Sequence, residues 1–163
     1  AYGDLYQWGR RADGHQCRNS ATTSALSSTD VPNHGDYILA PNTPNDWRSP
    51  QNNNLWQGVN GINNPCPSGY RLPSSVEWGN ETESWTTPNS NGAFSSPLKL
   101  TLAGGREGSN NSNGSLFNIG TFGYYWSSNT INNLSSCLNI NVNFYSHTTD
   151  NRARGRSVRC IKN

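Results

Sequence analysis

The chain contains no methionine among its 163 residues, and only 13% of them are Asp, Glu, Lys or Arg. Apolar residues make up 31%, and no uninterrupted apolar run approaches the roughly 18 residues that a membrane-spanning helix needs. A basic segment followed by an apolar stretch, which marks an export signal, is also missing from the start. We therefore expect no membrane insertion, and we interpret the sequence as a domain cut from a longer polypeptide.

Lysine is equally scarce, since the chain has only two, and a net charge of +2 leaves little capacity to bind the phosphates of nucleic acid. Signals of catalysis are scarce as well. The three histidines lack metal-ligand spacing, and neither a Gly-x-Ser-x-Gly turn nor a Gly-rich phosphate loop is present. These absences argue against a nucleic-acid partner, and we expect a protein that is not an enzyme.

Neutral polar and aromatic residues take the place of the charged ones. The chain has 25 asparagines, together with six Trp and seven Tyr. Disordered segments combine high net charge with few aromatic residues, so this composition predicts a folded chain. The length suits one hydrophobic core, and we expect a single domain over residues 1–163 with much of its length in loops.

The four cysteines, Cys17, Cys66, Cys137 and Cys160, are widely separated in the sequence. They form no Cys-x-x-Cys pair, which disfavours structural zinc and thioredoxin-like chemistry. Their even number favours disulfides, which indicate an oxidising, extracellular setting. Four cysteines allow three connectivities, and sequence spacing alone does not choose among them.

The capping signals predict one helix. The Ser74 side chain can accept a hydrogen bond from the backbone of Glu77, whose own side chain can return one to Ser74, and the two residues form a capping box. We expect a short helix from about Ser75 to Trp85. The first sixty residues are rich in turns, and there we expect only one short strand, near Leu5 to Trp8.

Strands dominate the second half of the sequence. Leucine alternates with polar residues over 98–102, and apolar residues alternate with asparagine over 138–144. This period of two predicts strands with one buried face. Further elements are expected as strands at 124–126 and 157–161 and as polar loops at 104–114 and 146–155. The pattern predicts an α+β fold with a small antiparallel sheet, one or two short helices and long loops.

Six short motifs occur in the order that one known family shows. They are Asp4-Leu5-Tyr6-Gln7-Trp8-Gly9, Asn64-Pro65-Cys66-Pro67-Ser68-Gly69-Tyr70-Arg71-Leu72-Pro73, Glu77-Trp78, Ala103-Gly104-Gly105-Arg106, Gly123-Tyr124-Tyr125-Trp126-Ser127-Ser128 and Ser157-Val158-Arg159-Cys160. With these motifs the chain resembles the FISUMP (major paralogous) domain family nearly from end to end. That family is similar to the formylglycine-generating sulfatase-modifying fold, so the resemblance implies a C-type-lectin-like fold.

Within that family the chain looks closest to the ligand-binding domains of giant calcium-dependent RTX adhesins of marine and gut bacteria. The resemblance implies a secreted domain at the bacterial cell surface, attached to neighbouring adhesin domains, that takes part in cell adhesion and biofilm formation. Its implied partners are peptides, or the free carboxylate ends of proteins, on other cells, with Ca²⁺ assisting. By analogy with the family we pair Cys66 with Cys160, which leaves Cys17 for Cys137.

Calcium binding requires about six to eight oxygen ligands, which loops supply from carboxylates, amides and backbone carbonyls. The candidate metal ligands are Asp150 and Asn151 before the last strand, Asp30 and Asp36 in the early loop, and Glu107 in the central loop, with Asn110 to Asn113 as further candidates. An alternative is that these residues only satisfy the backbone of turns. No EF-hand or nonapeptide repeat decides between the two.

The candidate ligand-binding residues are Trp47, Asn111, Asn113, Arg152 and Arg154. Arg152, Arg154 and Arg156 lie two apart, so on an extended segment they would share one side and could meet a carboxylate. The alternative is a solvated, charged sheet edge that prevents unwanted pairing. Most aromatic residues are expected in the core, whereas Trp47, between Asp46 and Arg48, is the best candidate for exposure.

Three other functions remain open at this point. The same fold can bind a glycan instead of a peptide, as lectins do. A cysteine-dependent enzyme related to the sulfatase-modifying proteins would use Cys137 or Cys160 as its reactive thiol. A purely structural spacer is the third alternative, and the unusual loop length argues against it.

Overall fold

The structure, a computed structural model, describes residues 2–163. In this part of the chain, two helices and one 3-10 turn lie among eleven strands. The helices are α1 (Ser75–Glu83) and α2 (Ser90–Ser95), and the 3-10 turn is Asn110–Ser112. The strands are β1 (Tyr6–Gln7), β2 (Thr22–Thr23), β3 (Tyr37–Ile38), β4 (Tyr70–Arg71), β5 (Gly105–Arg106), β6 (Leu116–Phe117), β7 (Phe122–Ile131), β8 (Leu134–Asn141), β9 (Tyr145–Asp150), β10 (Gly155–Arg156) and β11 (Ile161–Lys162). The predicted α+β class with small, mostly antiparallel sheets is confirmed.

The longest strands form a three-stranded antiparallel sheet in the order β7-β8-β9. The alternation that predicted a strand over 138–144 is confirmed as far as Asn141, because Leu138 and Ile140 are buried on one face. Beyond that point the prediction is wrong. The Asn141 side chain accepts hydrogen bonds from the backbones of Asn143 and Phe144, and this closes a turn that leaves Phe144 exposed.

Strand β9 lies where a polar loop was predicted over 146–155. Each of its six residues pairs with β8, from Ser135 opposite Asp150 to Ile140 opposite Tyr145. No apolar alternation marks this segment, because β9 is an edge strand and its side chains are half-buried or exposed. The hydrogen bonds to β8 stabilise it, so its polar sequence gave no local sign of a strand.

A second sheet joins distant parts of the chain in the order β1-β10-β5-β6. Tyr6 of β1 pairs with Arg156 of β10, which confirms the expected strand near Leu5 to Trp8. β4 and β11 form a separate pair, and the disulfide between Cys66 and Cys160 lies beside it, as the family resemblance implied. These pairings connect the early and the late segments of the chain.

The second predicted disulfide is wrong, because Cys17 and Cys137 are both free thiols. Cys17 is exposed in a turn, where its backbone carbonyl accepts a hydrogen bond from Arg106. Cys137 lies in β8, opposite Trp126 of β7, and is buried. The two residues therefore have separate environments, one at the surface and one in the core.

Helix α1 begins with the predicted capping box. The backbone of Glu77 donates to the Ser74 side chain at 3.2 Å, and the backbone of Ser74 donates to the Glu77 carboxylate at 2.7 Å. Arg71 also donates to that carboxylate, and these bonds lower the pKa of Glu77 to about 2. The helix ends at Glu83, slightly before the predicted end at Trp85.

The strand predicted over 98–102 does not form. Lys99 has a left-handed backbone conformation, with φ of 52°, and Leu100 donates its backbone N–H to Ala93 at the end of α2. Leu100 is buried while Leu98 and Leu102 are half-buried, so the leucine pattern reflects packing of an irregular segment under the sheet and α2.

Two hydrophobic clusters share the sheet. Trp126 and Cys137 contribute to the first cluster, with Trp8, Ile38, Trp47, Leu55, Trp56 and Leu72. Tyr125 and Leu138 contribute to the second cluster, with Trp78, Trp85, Ala93, Leu100 and Ile140. Because adjacent residues of a strand face opposite sides, β7 and β8 supply both clusters. Neither helix in residues 2–163 has the length and apolar character needed to cross a membrane.

Four arginines are buried together with the aromatic residues. Each guanidinium lies over an aromatic ring: Arg10 over Trp47 at 5.6 Å, Arg106 over Tyr37 at 4.1 Å, Arg152 over Trp8 at 4.8 Å and Arg156 over Tyr124 at 4.1 Å. Such stacking stabilises a cation that has lost water, by about 2 kcal/mol at well-desolvated sites. We call these four residues the buried arginines.

Candidate functional site

Three loops meet at one end of the molecule. The backbone of Ala40 donates to Gly108 at 2.7 Å, and the backbone of Asn110 returns a bond to Ala40 at 3.0 Å. The backbone of Ala153 donates to Asn45 at 3.0 Å. The loops 40–46, 108–113 and 150–154 therefore form one surface, which we call the loop end. It brings together the central loop and the segment before the last strand, both of which the sequence predicted to carry metal ligands and ligand-binding residues.

The three arginines of the last segment do not share one side. Residues 151–154 form a turn, so Arg152 points away from the other two, whereas Arg154 and Arg156 both contact Asp150. Arg152 is buried and donates to Asn53 at 2.6 Å, and Arg156 is buried against Tyr124. Only Arg154 is partly open to solvent, with 36% of its side chain exposed. The expected row of three arginines on one side is wrong, and so is its alternative, a solvated charged edge, whereas ligand binding by Arg154 stays a prediction.

The predicted calcium ligands Asp150 and Glu107 are bound by arginines. Arg154 contacts Asp150 at 3.1 Å and Glu107 at 3.2 Å, and Arg156 forms a second ion pair with Asp150. Two carboxylates thus face two guanidinium groups, and the local charge is balanced. A calcium ion here would have to displace or approach these cations, so the pair of carboxylates does not fit a calcium site.

The other two predicted acidic ligands have partners of their own. Asp30 forms an ion pair with Arg48 at 2.8 Å and accepts a hydrogen bond from Asn52 at 2.9 Å. Asp36 is half exposed and lies 3.8 Å from His34. Residues 2–163 bring no three His, Cys, Asp or Glu side chains together in a way that would hold a metal ion. The predicted acidic set therefore does not form one site, and calcium binding stays a prediction.

The predicted asparagines lie in turns of the loop end. Asn111 and Asn113 are exposed, and Asn113 has a left-handed backbone with φ of 52° after the 3-10 turn. Asn151 is half-buried, and its carbonyl accepts a hydrogen bond from the backbone of Arg154. These positions agree with the turn-forming alternative for asparagine, and the two exposed side chains remain accessible to a ligand.

Trp47 is 0% exposed, so its predicted exposure is wrong. Its indole N–H donates to the carbonyl of Trp8 at 2.7 Å, and the Arg10 guanidinium stacks on its ring. The charged neighbours Asp46 and Arg48 suggested a surface position. Asp46 is itself buried, however, and burial raises the pKa of its carboxyl group although Arg152 lies 3.7 Å away.

A pocket of about 380 Å³ opens beside the loop end. Leu26, Pro41, Pro44 and Pro50 provide apolar walls, and Asn42, Arg48 and Gln51 provide polar groups. The Nε of Arg48 faces Asp30 and its Nη1 donates to the Pro50 carbonyl, so Nη2 is the nitrogen left for a ligand. Sequence reasoning missed this pocket, although the prolines around Arg48 were its visible sign.

A second, smaller groove of about 220 Å³ lies between the start of α1 and the face of the β7-β8-β9 sheet. Trp78 and Ile131 are its apolar walls, whereas Ser127, Ser136 and Thr149 line it with hydroxyl-bearing residues. His147 also borders the groove, and its Nε2 lies 3.2 Å from the Thr82 hydroxyl. Because part of the groove is formed by β9, a strand that was not predicted, the groove could not be located from the sequence.

The two cysteines considered for enzymatic chemistry are poorly suited to it. Burial raises the pKa of Cys137 to about 12, so its thiol stays protonated at neutral pH. Cys160 is consumed in the disulfide. Neither residue supplies the thiolate that a cysteine nucleophile needs. In comparisons with known proteins, no family model, curated protein or solved structure matches this chain.

Proposed function

We propose that this chain is a peptide-binding domain of a bacterial surface adhesin, with a C-type-lectin-like fold and membership in the FISUMP family. Two motifs that carry the resemblance form coherent structural units, which supports the proposal. Cys66 and Cys160 are joined, and the Arg71 to Trp78 segment forms the capped start of α1. The disulfide also supports an oxidising, extracellular setting.

The pocket beside the loop end is the observation that carries the proposed function. Apolar walls next to a few polar groups are typical of ligand sites, and this pocket is of suitable size. In this pocket Arg48 pairs with Asp30, and Asp46 lies near Arg152, so the charges of the pocket are balanced. We propose that the proline and leucine walls hold an apolar side chain of the peptide, while Arg48 and Asn42 bind its terminal carboxylate.

Calcium assistance remains part of the prediction and needs its own test. The carboxylates predicted to bind the ion are paired with arginine, so the proposal assigns no residue to a metal. Recognition of a glycan by the same surface is the competing outcome. The pocket's apolar walls favour a peptide, because sugars present mostly hydroxyl groups to their binding sites.

The direct test is binding of the purified chain to an array of glycans and of peptides with free or amidated carboxyl ends, run with calcium and with a chelator. We expect binding to peptides with free ends and weaker binding to the amidated versions. Loss of binding in the chelator would support calcium assistance. Binding to glycans alone would replace the proposal with a lectin function, and binding to neither class would overturn both.

A variant pair locates the site. Replacing Arg48 with Gln removes the proposed carboxylate donor, and we expect at least a tenfold loss in affinity for free-ended peptides. Arg11→Gln is the matched control, because Arg11 is exposed and lies outside the pocket. Thermal unfolding of both variants checks that loss of the Asp30 ion pair has not unfolded the loop. Equal peptide binding by both variants would remove Arg48 from the site.

A further inference from the structure

Strand β9 is an open edge of the three-stranded sheet. It is the last strand in the order β7-β8-β9, and its six residues keep a regular register with β8. Proteins usually protect such edges with lysine, proline or a bulge. The sequence of β9, Tyr-Ser-His-Thr-Thr-Asp, contains no lysine or proline, and its one carboxylate, Asp150, is bound by Arg154 and Arg156.

The turn before β9 shows which backbone groups point outward. The backbone of Asn141 donates to Phe144 at 2.9 Å, so these two residues form a hydrogen-bonded pair. Hydrogen-bonded and non-hydrogen-bonded pairs alternate along an antiparallel ladder. Ser146, Thr148 and Asp150 therefore bond to β8, while Tyr145, His147 and Thr149 direct their N–H and C=O groups away from it. In residues 2–163, no other backbone group bonds to those three residues.

The groove of 220 Å³ borders this edge. Thr148 and Thr149 of β9 line it together with Trp78 and Ile131. Ile131 is an exposed apolar side chain at the end of β7, opposite Leu134 of β8. A strand placed beside β9 would direct alternate side chains to the groove side of the sheet, and the groove has room for one apolar side chain.

We infer that β9 is a docking strand, on which an extended segment of a partner protein adds as a fourth strand and places one apolar side chain in the groove. The inference rests on the proposed peptide-binding function and deepens it, because main-chain hydrogen bonds would supply affinity and the groove would supply specificity. Recognition at β9 needs no free carboxylate, unlike recognition at the pocket beside the loop end.

A second copy of the chain is a less suitable occupant of this edge. Two β9 strands paired with each other would offer serine, threonine and histidine side chains to each groove, because the one aromatic side chain of β9, Tyr145, packs on Trp85 of its own chain with 5.5 Å between ring centroids. None of these fills a space between Trp78 and Ile131 as an apolar side chain does. The groove therefore favours a different polypeptide that carries Val, Leu or Ile at one alternate position.

The test uses an array of random octapeptides that are acetylated and amidated, so that no free end is present. For the tightest binders, hydrogen exchange of single amides is followed by NMR with and without peptide. We expect exchange at His147 and Thr149 to slow at least tenfold on binding, whereas Ser146 and Thr148 are already protected by β8. Binding without this alternating protection would overturn the inference, and protection that depends on protein concentration alone would show self-pairing.

Chemical and genetic changes provide a second measurement. Methylation of those backbone amides of the peptide that face β9 should abolish binding. Methylation of the alternate amides, which face away from β9, should leave the affinity within about twofold. Replacing Ile131 with Ser should weaken peptides with an apolar residue at least fivefold, and Val142→Ser, at another exposed apolar position, is the control. Octapeptide binding that is insensitive to both changes would overturn the inference.

The outcomes also separate this inference from the proposed function. If free-ended peptides bind in an Arg48-dependent manner while no blocked octapeptide binds, the function stands and docking at β9 is wrong. If neither class of peptide binds, both are wrong. Loss of binding in the Ile131 variant, with Arg48→Gln unchanged, would place peptide recognition at β9 and not at the pocket beside the loop end.

Discussion

The two hydrophobic clusters on either side of the sheet are built by different means. The second cluster lies under α1 and α2 and contains Leu, Ile, Ala and aromatic side chains. The first cluster is bordered by Arg10 and Arg152, which stack on Trp47 and Trp8, and Arg10 donates to the backbone carbonyls of His34 and Asp36. Helices and strands satisfy their own backbone groups, whereas irregular segments need other donors. The comparison shows how a chain rich in loops fills its interior: arginine supplies both stacking area and several N–H donors.

Arg106 shows this role most clearly. Its guanidinium stacks on Tyr37 and donates to Gly114 at 2.9 Å, to the Cys17 carbonyl at 3.1 Å and to both the hydroxyl and the carbonyl of Ser20. One side chain therefore joins three segments that are far apart in the sequence. No apolar residue of the second cluster has a comparable effect on backbone groups.

The largest predicted effect concerns this residue. Arg106→Met keeps an unbranched side chain but removes the stacking on Tyr37 and leaves the carbonyls of Gly114 and Ser20 without their donor, and we expect a loss of about 4 kcal/mol in the free energy of unfolding. Urea unfolding measures it. Arg11→Met, at an exposed position, should change stability by less than about 0.5 kcal/mol. A small effect at Arg106 would show that water replaces its hydrogen bonds.

The second prediction tests the apolar cluster. Leu138→Ala removes a fully buried side chain from the cluster that contains Trp78 and Tyr125, and we expect a loss of about 3 kcal/mol because a cavity remains. The effect should be insensitive to pH between 4 and 8, since no charged group is involved. Strong pH dependence of this stability difference between the variant and the parent chain would mean that the two clusters are coupled.

The third prediction concerns acid stability on the arginine side. His15 is buried, its Nε2 accepts from the backbone of Gln7 at 3.1 Å and its Nδ1 lies 2.7 Å from Asp13. Burial lowers the pKa of His15 from 6.5 to about 4. The unfolded chain therefore binds the proton first as the pH falls, and stability should decline from about pH 6.5 to about pH 4, by at most about 1.4 kcal/mol per pH unit.

Replacing His15 with Gln tests that assignment, because Gln does not titrate. The variant is expected to be less stable at pH 7 but to lose the decline between pH 6.5 and 4. Urea unfolding at several pH values measures both properties. An unchanged decline would assign it to groups other than His15 and Asp13, because the Asp13 pKa of about 2 places the effect of that carboxylate below about pH 4.

The smallest predicted effect is at the helix cap. Ser74→Ala removes the side-chain acceptor at the start of α1, and we expect a loss of about 1 kcal/mol. The Arg71 and Glu77 ion pair remains in this variant, so the helix should still form. Circular dichroism and urea unfolding would detect a larger effect if the cap also positions the groove.

Local signals predicted the parts of the fold that depend on neighbouring residues. The capping box at Ser74 and Glu77 and the alternation in β8 were both recognised, and the family resemblance implied the pair Cys66 and Cys160. The α+β class followed from these elements. Each of these features depends on residues that are close in sequence or belong to a recognisable motif.

Contacts between distant segments could not be predicted in the same way. Strand β9 depends on β8 for its hydrogen bonds, and Trp47 is buried because its indole bonds to Trp8. Arg152 and Arg156 stack on aromatic rings that are distant in the sequence. Because arginine is charged, the sequence suggested instead that both residues lie at the surface. The pocket and the groove both depend on such contacts, which is why neither was found from the sequence.

The two free cysteines make the protein suitable for thiol labelling. A maleimide added to the native protein should modify Cys17 rapidly, because that side chain is exposed, whereas Cys137 is buried with a pKa of about 12. Labelling of Cys137 would then report only molecules in which β8 has opened. A single sample could therefore give the rate of opening of the central strand, with Cys17 as the internal reference, and a bound peptide at β9 should slow it.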